Sequence, residues 1–269
     1  MIKPVLSIII PCYNSGKYLP EALESIKTYP DESVYEVIIV NDGSNNNDTI
    51  SLLKKLGKEG YLIINQENKG PAAARNAGVK IAKGDYILLL DSDNKVRKDY
   101  IYKGIQILNT HPEVSIVHGN SAFFGDTTDP RFYTGKFDMA KLLKGNYIDT
   151  CSVIRKTVWE QLNGQDENRL IIAHEDWDFW IRAGAAGYKF YYVDEILFDY
   201  RNRSNSLNRQ FSDSYIFEPA INYLYCKHSP LIFEHYNNLY QQFYFYQQDQ
   251  QHPIRSFFKF LYKKYIKKP

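Results

Sequence analysis

Short apolar segments alternate with segments of helical periodicity along the first 117 residues. Strands are predicted where apolar, often β-branched, residues run together, at residues 5–10, 36–40, 61–64, 86–90 and 114–117. Helices are predicted where apolar residues recur every three or four positions, at residues 18–27, 48–56, 72–82 and 100–108. Strands that alternate with helices form right-handed βαβ units, and near-continuous apolar runs suit strands covered on both faces. The pattern therefore predicts an α/β fold with a mostly parallel sheet.

The alternation becomes looser beyond residue 120. Three further strands are predicted at residues 150–154, 190–193 and 197–200, and one helix at residues 175–183. From Ser212 onward the chain reads as helices rich in Tyr, Phe and Gln. The second half of the chain thus predicts an extension of the sheet, followed by a helical C-terminal region.

Polar residues follow three of the predicted strands, at residues 11–14, 41–44 and 91–93. Ligands of parallel α/β sheets bind beyond the carboxyl ends of the strands. Asp91 and Asp93 are two positions apart and face one spot if the chain stays extended there. Two like charges held together need a cation or hydrogen-bond donors, and carboxylate oxygens suit Mg²⁺ or Mn²⁺. Taken alone, the segment Asp91-Ser92-Asp93 favours a polar turn at the strand end over a metal site.

Composition narrows the class of protein only slightly. The 269 residues are 44% hydrophobic and 24% charged, with a formal net charge of +2, which is ordinary for a globular protein. The three cysteines are far apart, which argues against a zinc cluster or a disulfide framework and suits a reducing compartment. We see neither a secretory signal nor a membrane-spanning segment, so we expect a cytoplasmic protein.

Five motifs, in this order along the chain, resemble the family 2 glycosyltransferases. They are residues 5–14 (VLSIIIPCYN), 40–44 (VNDGS), 68–78 (NKGPAAARNAG), 91–93 (DSD) and 175–176 (ED). The resemblance implies the GT-A fold, a Rossmann-like, mostly parallel sheet flanked by helices, here with a helical C-terminal extension. It divides the chain into a domain at residues 1–210 and an extension at residues 211–269. Within the domain, residues 1–117 are the implied nucleotide-binding half and residues 118–210 the acceptor-side half.

The family resemblance implies a nucleotide-diphosphate-sugar donor, most often a UDP-sugar, lying across the strand ends. Asp42 matches the residue that accepts a hydrogen bond from the base, although Asn-Asp-Gly-Ser is also strong turn chemistry. Arg75 matches the family's arginine near the base and diphosphate. Pro11, Tyr13 and Ser92 complete the implied nucleotide-sugar contacts.

The same resemblance implies a metal site and a general base. Asp93 is the implied ligand of Mn²⁺ or Mg²⁺, with Asp91 toward the ribose or a metal-bound water. Asp176 is the implied base that takes the proton of an acceptor hydroxyl, with Glu175 helping to place the acceptor. The aromatic residues after Asp176 either stack on sugar faces or pack in the core. The implied reaction is an inverting transfer in the assembly of a bacterial surface polysaccharide or glycoconjugate, onto a glycan or lipid-linked acceptor.

Two positions depart from the family pattern. Asn94 stands where many relatives have an acidic residue, and Arg203 stands where relatives often have a histidine. An arginine cannot ligate a cation, but it can neutralise a diphosphate directly. Arg201 and Arg209 lie nearby, so a phosphate-binding loop and a solvated basic loop are both open.

Four other functions compete with the glycosyltransferase interpretation. A sugar-nucleotidyltransferase usually has a glycine-rich basic loop after the first strand, and residues 11–17 contain little glycine. A nicotinamide oxidoreductase is disfavoured because no GxGxxG follows a strand, and a nucleic-acid role because the strand ends are acidic. The alternative that stays open is a catalytically weakened protein that keeps the GT-A fold to bind nucleotide sugars or to serve assembly.

Residues 253–269 contain six basic residues and no acidic one. Their apolar residues follow helical spacing on one face. A basic amphipathic helix of this kind can lie on an anionic membrane, which here is the inner face of the plasma membrane. Docking on the rest of the chain, or on the same helices of a second copy in a homodimer, is the alternative.

Overall fold

The computed structural model describes residues 3–29, 31–126, 133–203 and 214–266. Its strands are β1 Leu6–Cys12, β2 Tyr35–Asp42, β3 Leu62–Gln66, β4 Tyr86–Leu89, β5 Lys95–Val96, β6 Val114–Gly125, β7 Val153–Arg155 and β8 Lys189–Asn202. Its helices are α1 Leu19–Ile26, α2 Asn47–Lys58, α3 Pro71–Ile81, α4 Tyr100–Thr110, α5 Met139–Lys144, α6 Lys156–Gln161, α7 Glu175–Ala185, α8 Ser214–Lys227, α9 Ser229–Gln251 and α10 Pro253–Leu261.

The eight strands form one sheet in the order β3-β2-β1-β4-β7-β6-β8-β5. The strands β3, β2, β1 and β4 are parallel, as the alternation of strands and helices predicts. The strand β7 is antiparallel to both β4 and β6, whereas β6 and β8 are parallel and β5 is antiparallel to β8. The α/β prediction is confirmed, and the second half of the sheet mixes both directions.

The strands β1 and β4 are buried on both faces, as their apolar runs indicate. Successive side chains of β1, including Ile8, Ile9 and Ile10, are fully buried although they point to alternate faces. The helix α3 packs directly on β1 and β2, because a Cβ at Gly78 would lie 2.5 Å from Ile9 Cγ2 and 3.1 Å from Val40 Cγ2. This close contact fixes α3, and the side chains it carries, beside the strand ends.

Several predicted boundaries differ from the structure, most of all the strand predicted at residues 114–117, which extends to Gly125 as β6. The strands predicted at residues 190–193 and 197–200 are one strand, β8, whose pairing with β6 shifts register near Asn120. The polar pair Asp194-Glu195 interrupts the apolar pattern, and the register shift accommodates it without ending the strand. The strand predicted from residue 150 begins only at Val153, because Ser152 donates a backbone hydrogen bond to the carbonyl of Thr150 in a turn.

The chain divides into two compact units, residues 1–224 and residues 225–269. The boundary at residues 210/211 predicted from the sequence falls outside the described residues. The second unit contains α9 and α10, as the helical pattern of this region predicts. None of the helices in the described ranges has the length and apolar content needed to cross a membrane.

Candidate active site

The carboxyl ends of β1 and β2 lie side by side, and the loops that follow them are joined by hydrogen bonds. The backbone N–H of Asn14 donates to Ser44 Oγ at 3.0 Å, and Asn14 Oδ1 accepts from the backbone N–H of Asn45 at 3.0 Å. The polar clusters predicted after these strands therefore meet at one edge. Pro11 lies within the last residues of β1, and Tyr13 is exposed just beyond its end.

Asp42, the last residue of β2, is buried and holds the loop that leads into α3. Its Oδ1 accepts from Gln66 Nε2 at 2.7 Å and from the backbone N–H of Lys69 at 2.9 Å, and its Oδ2 accepts from the backbone N–H of Gly70 at 2.9 Å. A carboxylate has about four acceptor sites, so the three donors leave capacity for one more. Gln66 is a partner that no sequence motif indicated.

Arg75 joins three elements at the centre of the site. From α3 its Nη2 donates to Asp91 Oδ1, beyond β4, and its Nη1 donates to Glu175 Oε1, at the start of α7, both at 2.7 Å. Gln165 Oε1 accepts a third bond at 3.2 Å. Burial disfavours the charge of the guanidinium, but the two carboxylates outweigh it and raise the pKa of Arg75. In this structure Arg75 therefore contacts two carboxylates, Asp91 and Glu175, that the sequence motifs also predict to belong to the site.

Asp93 forms an ion pair with Arg203, the residue that directly follows β8. Arg203 Nη2 lies 2.7 Å from Asp93 Oδ2, and both side chains are largely buried. Burial and the nearby charge of Asp91 raise the pKa of Asp93, whereas the Arg203 guanidinium lowers it. Ser92 is buried between the two aspartates. The carboxylate expected to bind a metal thus has an internal cation on one oxygen.

The turn that holds Asp93 is also fastened to β8 by its neighbours. Asn94 Oδ1 accepts from the backbone N–H of Arg201 at 2.9 Å, and Arg201 Nε donates to the backbone carbonyl of Asp93 at 3.0 Å. Asn94, which departs from the family pattern, therefore has a structural role here. Arg209 lies outside the described residues.

Asp176 lies in the first turn of α7 with its carboxylate held in place. Its Oδ2 accepts from Asn146 Nδ2 at 3.0 Å, and its Oδ1 accepts from the backbone N–H of Trp177 at 2.7 Å. Burial, followed by the charges of Glu175 and Asp149, raises the pKa of Asp176 well above the usual value for an aspartate. A raised pKa is what a carboxylate that accepts a proton near neutral pH requires.

The aromatic residues after Asp176 belong to the core. Trp177 and Trp180 are buried and donate from Nε1 to the carbonyls of Leu142 at 2.7 Å and Ile148 at 3.0 Å. They form no wall for a sugar face, so the core alternative is the correct one. Asp178 is buried too, with Arg182 Nε at 2.7 Å.

Asp149, which lies just before β7, is a site residue that the sequence did not indicate. Because β7 is antiparallel to β4, with Val153 opposite Leu88, the residues before β7 lie at the carboxyl end of β4. Asp149 Oδ1 accepts from the backbone N–H of Cys151 at 2.8 Å. Burial and the charge of Asp91 raise the pKa of Asp149 to about 7. No motif marks this residue, and its place depends on a strand direction that periodicity does not encode.

Four aspartates of the site lie within electrostatic reach of one side chain, the phenol of Tyr200 on β8. Burial raises the pKa of Tyr200, and the charges of four carboxylates raise it further: Asp149, Asp91, Asp93 and Asp176. The structure therefore brings together residues from both predicted halves of the domain. Asp42 lies at the same edge of the sheet, at the end of β2.

The donor atoms suit a divalent cation that takes most of its ligands from water and substrate. Asp91 and Asp93 offer hard carboxylate oxygens, and Mg²⁺ is commonly held by one or two carboxylates together with substrate phosphates. Among the described residues, no three His, Cys, Asp or Glu side chains are arranged to hold a metal ion by themselves. Arg75 contacts one carboxylate oxygen of Asp91, and Arg203 contacts one carboxylate oxygen of Asp93.

Comparison with known proteins identifies the family. The family model described as Glycosyl transferase family 2 matches residues 7–162, more than half of the chain. This chain is a family 2 glycosyltransferase. It is 28% identical over 217 residues to the putative teichuronic acid biosynthesis glycosyltransferase TuaG of Bacillus subtilis, covering 77% of this chain and 82% of TuaG.

Solved structures support the GT-A fold of this glycosyltransferase. The structure of S. aureus TarS 1-349 in complex with UDP has a TM-score of 0.61 and 19% identity, covering 73% of this chain and 60% of that one. The mannosyltransferase PcManGT from Pyrobaculum calidifontis, in complex with GDP-Man and Mn²⁺, has a TM-score of 0.57 and 16% identity, covering 83% and 70%. At these identities the likeness establishes the fold alone.

Proposed function

We propose that this glycosyltransferase moves a sugar from a nucleotide-diphosphate donor to an acceptor hydroxyl, with Asp176 as the general base. The observation that carries the proposal is the position of Asp176. Its carboxylate is fixed by Asn146 and by a backbone N–H, with a raised pKa, in the same cluster as Asp91 and Asp93. Attack by the activated hydroxyl opposite the leaving diphosphate inverts the anomeric carbon. Glu175, held by Arg75, positions the N-terminal turn of α7 and the acceptor.

The donor is proposed to lie across the carboxyl ends of β1, β2 and β4. Asp42 retains one acceptor site for the N–H of a base, and uracil is the base we favour. Asp91 faces the ribose, and Pro11, Tyr13 and Ser92 line the path between base and sugar. The complexes of TarS with UDP and of PcManGT with GDP-Man support this class of donor.

A bound Mn²⁺ or Mg²⁺ would act as a Lewis acid that stabilises negative charge on the leaving diphosphate. Asp93 is the proposed protein ligand, assisted by Asp91. The presence of Mn²⁺ in the PcManGT complex supports the use of a divalent cation. For Asp93 to use both oxygens, Arg203 must release the one it contacts at 2.7 Å. The guanidinium is then available to the diphosphate of the donor.

The acceptor is proposed to be a growing bacterial surface polysaccharide or glycoconjugate, either as a glycan or linked to a lipid. The resemblance to TuaG, whose name assigns it to teichuronic acid biosynthesis, supports this class. The enzyme would then act at the cytoplasmic side of the membrane, where nucleotide sugars are made.

The decisive experiment is donor turnover by an Asp176→Asn variant. The amide keeps the size and one acceptor but cannot take a proton, so we expect kcat to fall by about 10²–10⁴-fold. This kcat is measured as the release of nucleoside diphosphate from a panel of nucleotide sugars in the presence of Mn²⁺. The matched control is Asp48→Asn, an exposed position on α2, which should keep full activity. Equal turnover by wild type and Asp176→Asn would overturn the proposal.

A second candidate is a protein that binds nucleotide sugars without turnover. The ion pair between Arg203 and Asp93 favours it, because an arginine already neutralises the carboxylate that a metal would need. Thermal unfolding with UDP separates the candidates. For the enzyme, Mn²⁺ should add to the stabilisation by UDP, and Asp93→Ala should remove only that addition. Equal stabilisation with and without Mn²⁺, together with no turnover, would favour the binding protein.

A further inference from the structure

The second compact unit, residues 225–269, contains most of the large apolar side chains that are exposed among the described residues. Of the 23 large hydrophobic residues that are exposed among the described residues, 16 lie in this unit. The helix α9 has 23 residues and buries none of them. Helices in proteins owe most of their stability to packing of an apolar face. A surface with so many exposed aromatic residues therefore indicates a partner.

The helix α10 has the sharpest division between its two faces. Ile254, Phe257, Phe258 and Leu261 follow the spacing i, i+3, i+4, i+7 and form one apolar stripe. Ile254, Phe257 and Phe258 are 74%, 58% and 63% exposed. The stripe is thus a continuous apolar surface about two helical turns long.

The polar side of α10 contacts α9 and leaves this stripe uncovered. Ser256 Oγ donates to Asp249 Oδ1, near the end of α9, at 2.7 Å. The ammonium of Lys259 lies over the ring of Phe245 at 5.9 Å from its centroid. Since α9 meets the polar side, the apolar stripe faces away from it within this unit.

Charge decides what kind of partner fits. Residues 253–269 carry six basic residues and no acidic one, that is +6, whereas the whole chain carries +2, so the other residues together carry −4. Pairing the stripe with the same stripe of a second copy would bring two clusters of +6 together. A soluble polyanion would neutralise the charge but would leave the Phe and Ile side chains in water. An anionic lipid bilayer offers both negative headgroups and an apolar phase.

We propose that residues 253–266 of the C-terminal unit dock on a membrane surface rich in anionic lipids. Phe257, Phe258 and Ile254 enter the boundary between headgroups and acyl chains, while Arg255 and Lys259 remain at headgroup level. Docking does not depend on the proposed enzymatic reaction. If that reaction is also correct, docking raises the local concentration of a lipid-linked acceptor.

The test is sedimentation of the full-length protein with vesicles. One set contains phosphatidylcholine alone, and the other contains phosphatidylcholine with phosphatidylglycerol. We expect binding to the anionic vesicles only, weakened by salt. Phe257→Ser/Phe258→Ser should lower the partition coefficient at least tenfold. Arg255→Glu/Lys259→Glu should lower it by more than tenfold, since each basic residue near an anionic surface contributes about a fivefold preference.

The control carries the same change of charge elsewhere. Lys54→Glu/Lys58→Glu alters two exposed positions on α2 and should leave vesicle binding unchanged. If this control loses binding as much as the α10 variant, general charge rather than α10 is responsible, and the proposal fails. Absence of binding to anionic vesicles also overturns it. A dimer in analytical ultracentrifugation that Phe257→Ser/Phe258→Ser dissociates, without vesicle binding, would assign the stripe to a second copy instead.

Discussion

At the scale of single residues, the site is a cluster of carboxylates whose mutual repulsion lowers the stability of the folded protein. Two arginines offset part of the repulsion, because Arg75 contacts Asp91 and Glu175 while Arg203 contacts Asp93. Asp149 forms no ion pair with an arginine within the described residues, and its pKa is raised to about 7. Residues at functional sites often oppose stability in this way.

Asp149 gives a prediction about stability and pH. Its usual pKa of 3.8 rises to about 7 in the folded protein, so the folded state holds this proton more tightly than the unfolded state does. Protonated Asp149 therefore makes its full contribution to the stability of the folded state below pH 3.8, and this contribution is lost as the pH rises through 7. Asp149→Asn should therefore raise the Tm by roughly 5 °C at pH 8 and change it little at pH 4. Thermal melts in EDTA measure the effect, and the same shift at both pH values would contradict it.

At the scale of elements, the contact of α3 with the sheet decides where Arg75 reaches. A Cβ at Gly78 would lie 2.5 Å from the side chain of Ile9, which is fully buried and has little room to move. Any residue larger than glycine pushes α3 outward. Arg75, one turn earlier on the same helix, would then lose its alignment with Asp91.

Two glycine substitutions should therefore have opposite signs. Gly78→Ala should cost about 1–3 kcal/mol through this overlap. Gly57→Ala, on α2, meets only Ile63 Cγ1 at 3.7 Å and should gain up to ~1 kcal/mol from higher helix propensity. Urea unfolding of the two variants compares them directly. Equal effects would show that α3 can move away from β1 without penalty.

At the scale of the whole molecule, Arg75 ties together residues distant in sequence. It connects the end of β4 with the start of α7, which is 100 residues away from it along the chain. The guanidinium is buried and compensates two carboxylates at once. Arg75 is therefore one of the charged side chains at which the two predicted halves of the domain meet, and Arg203, paired with Asp93, is another.

Arg75→Met should destabilise the protein by about 3–5 kcal/mol, because it leaves buried carboxylates without their cation. Adding Glu175→Gln should recover part of the loss. The control is Arg97→Met, since the pair of Arg97 and Asp199 is solvent-accessible and should contribute only about 0–1 kcal/mol. Urea unfolding gives all three values. A loss for Arg75→Met no larger than for Arg97→Met would refute this account of the site.

The amino-acid sequence by itself determined the parallel half of the sheet and the strand ends that carry the motifs. The apolar runs of β1, β2 and β4 predict strands buried on both faces, and neighbouring parallel strands end at one edge. That is why the sequence predicts that Asp42, Asp91 and their neighbouring polar residues meet at one edge of the sheet. Periodicity also predicted α3 and α7, which carry Arg75 and Asp176.

Only the tertiary structure decided how the charges are paired. The antiparallel direction of β7 brings Asp149 beside Asp91, and the continuous β8 brings Arg203 to Asp93. It also placed Trp177 and Trp180 in the core. The physical reason is that periodicity records which residues are buried, whereas strand direction and ion pairing depend on contacts between distant segments. Those contacts form only when the whole sheet closes.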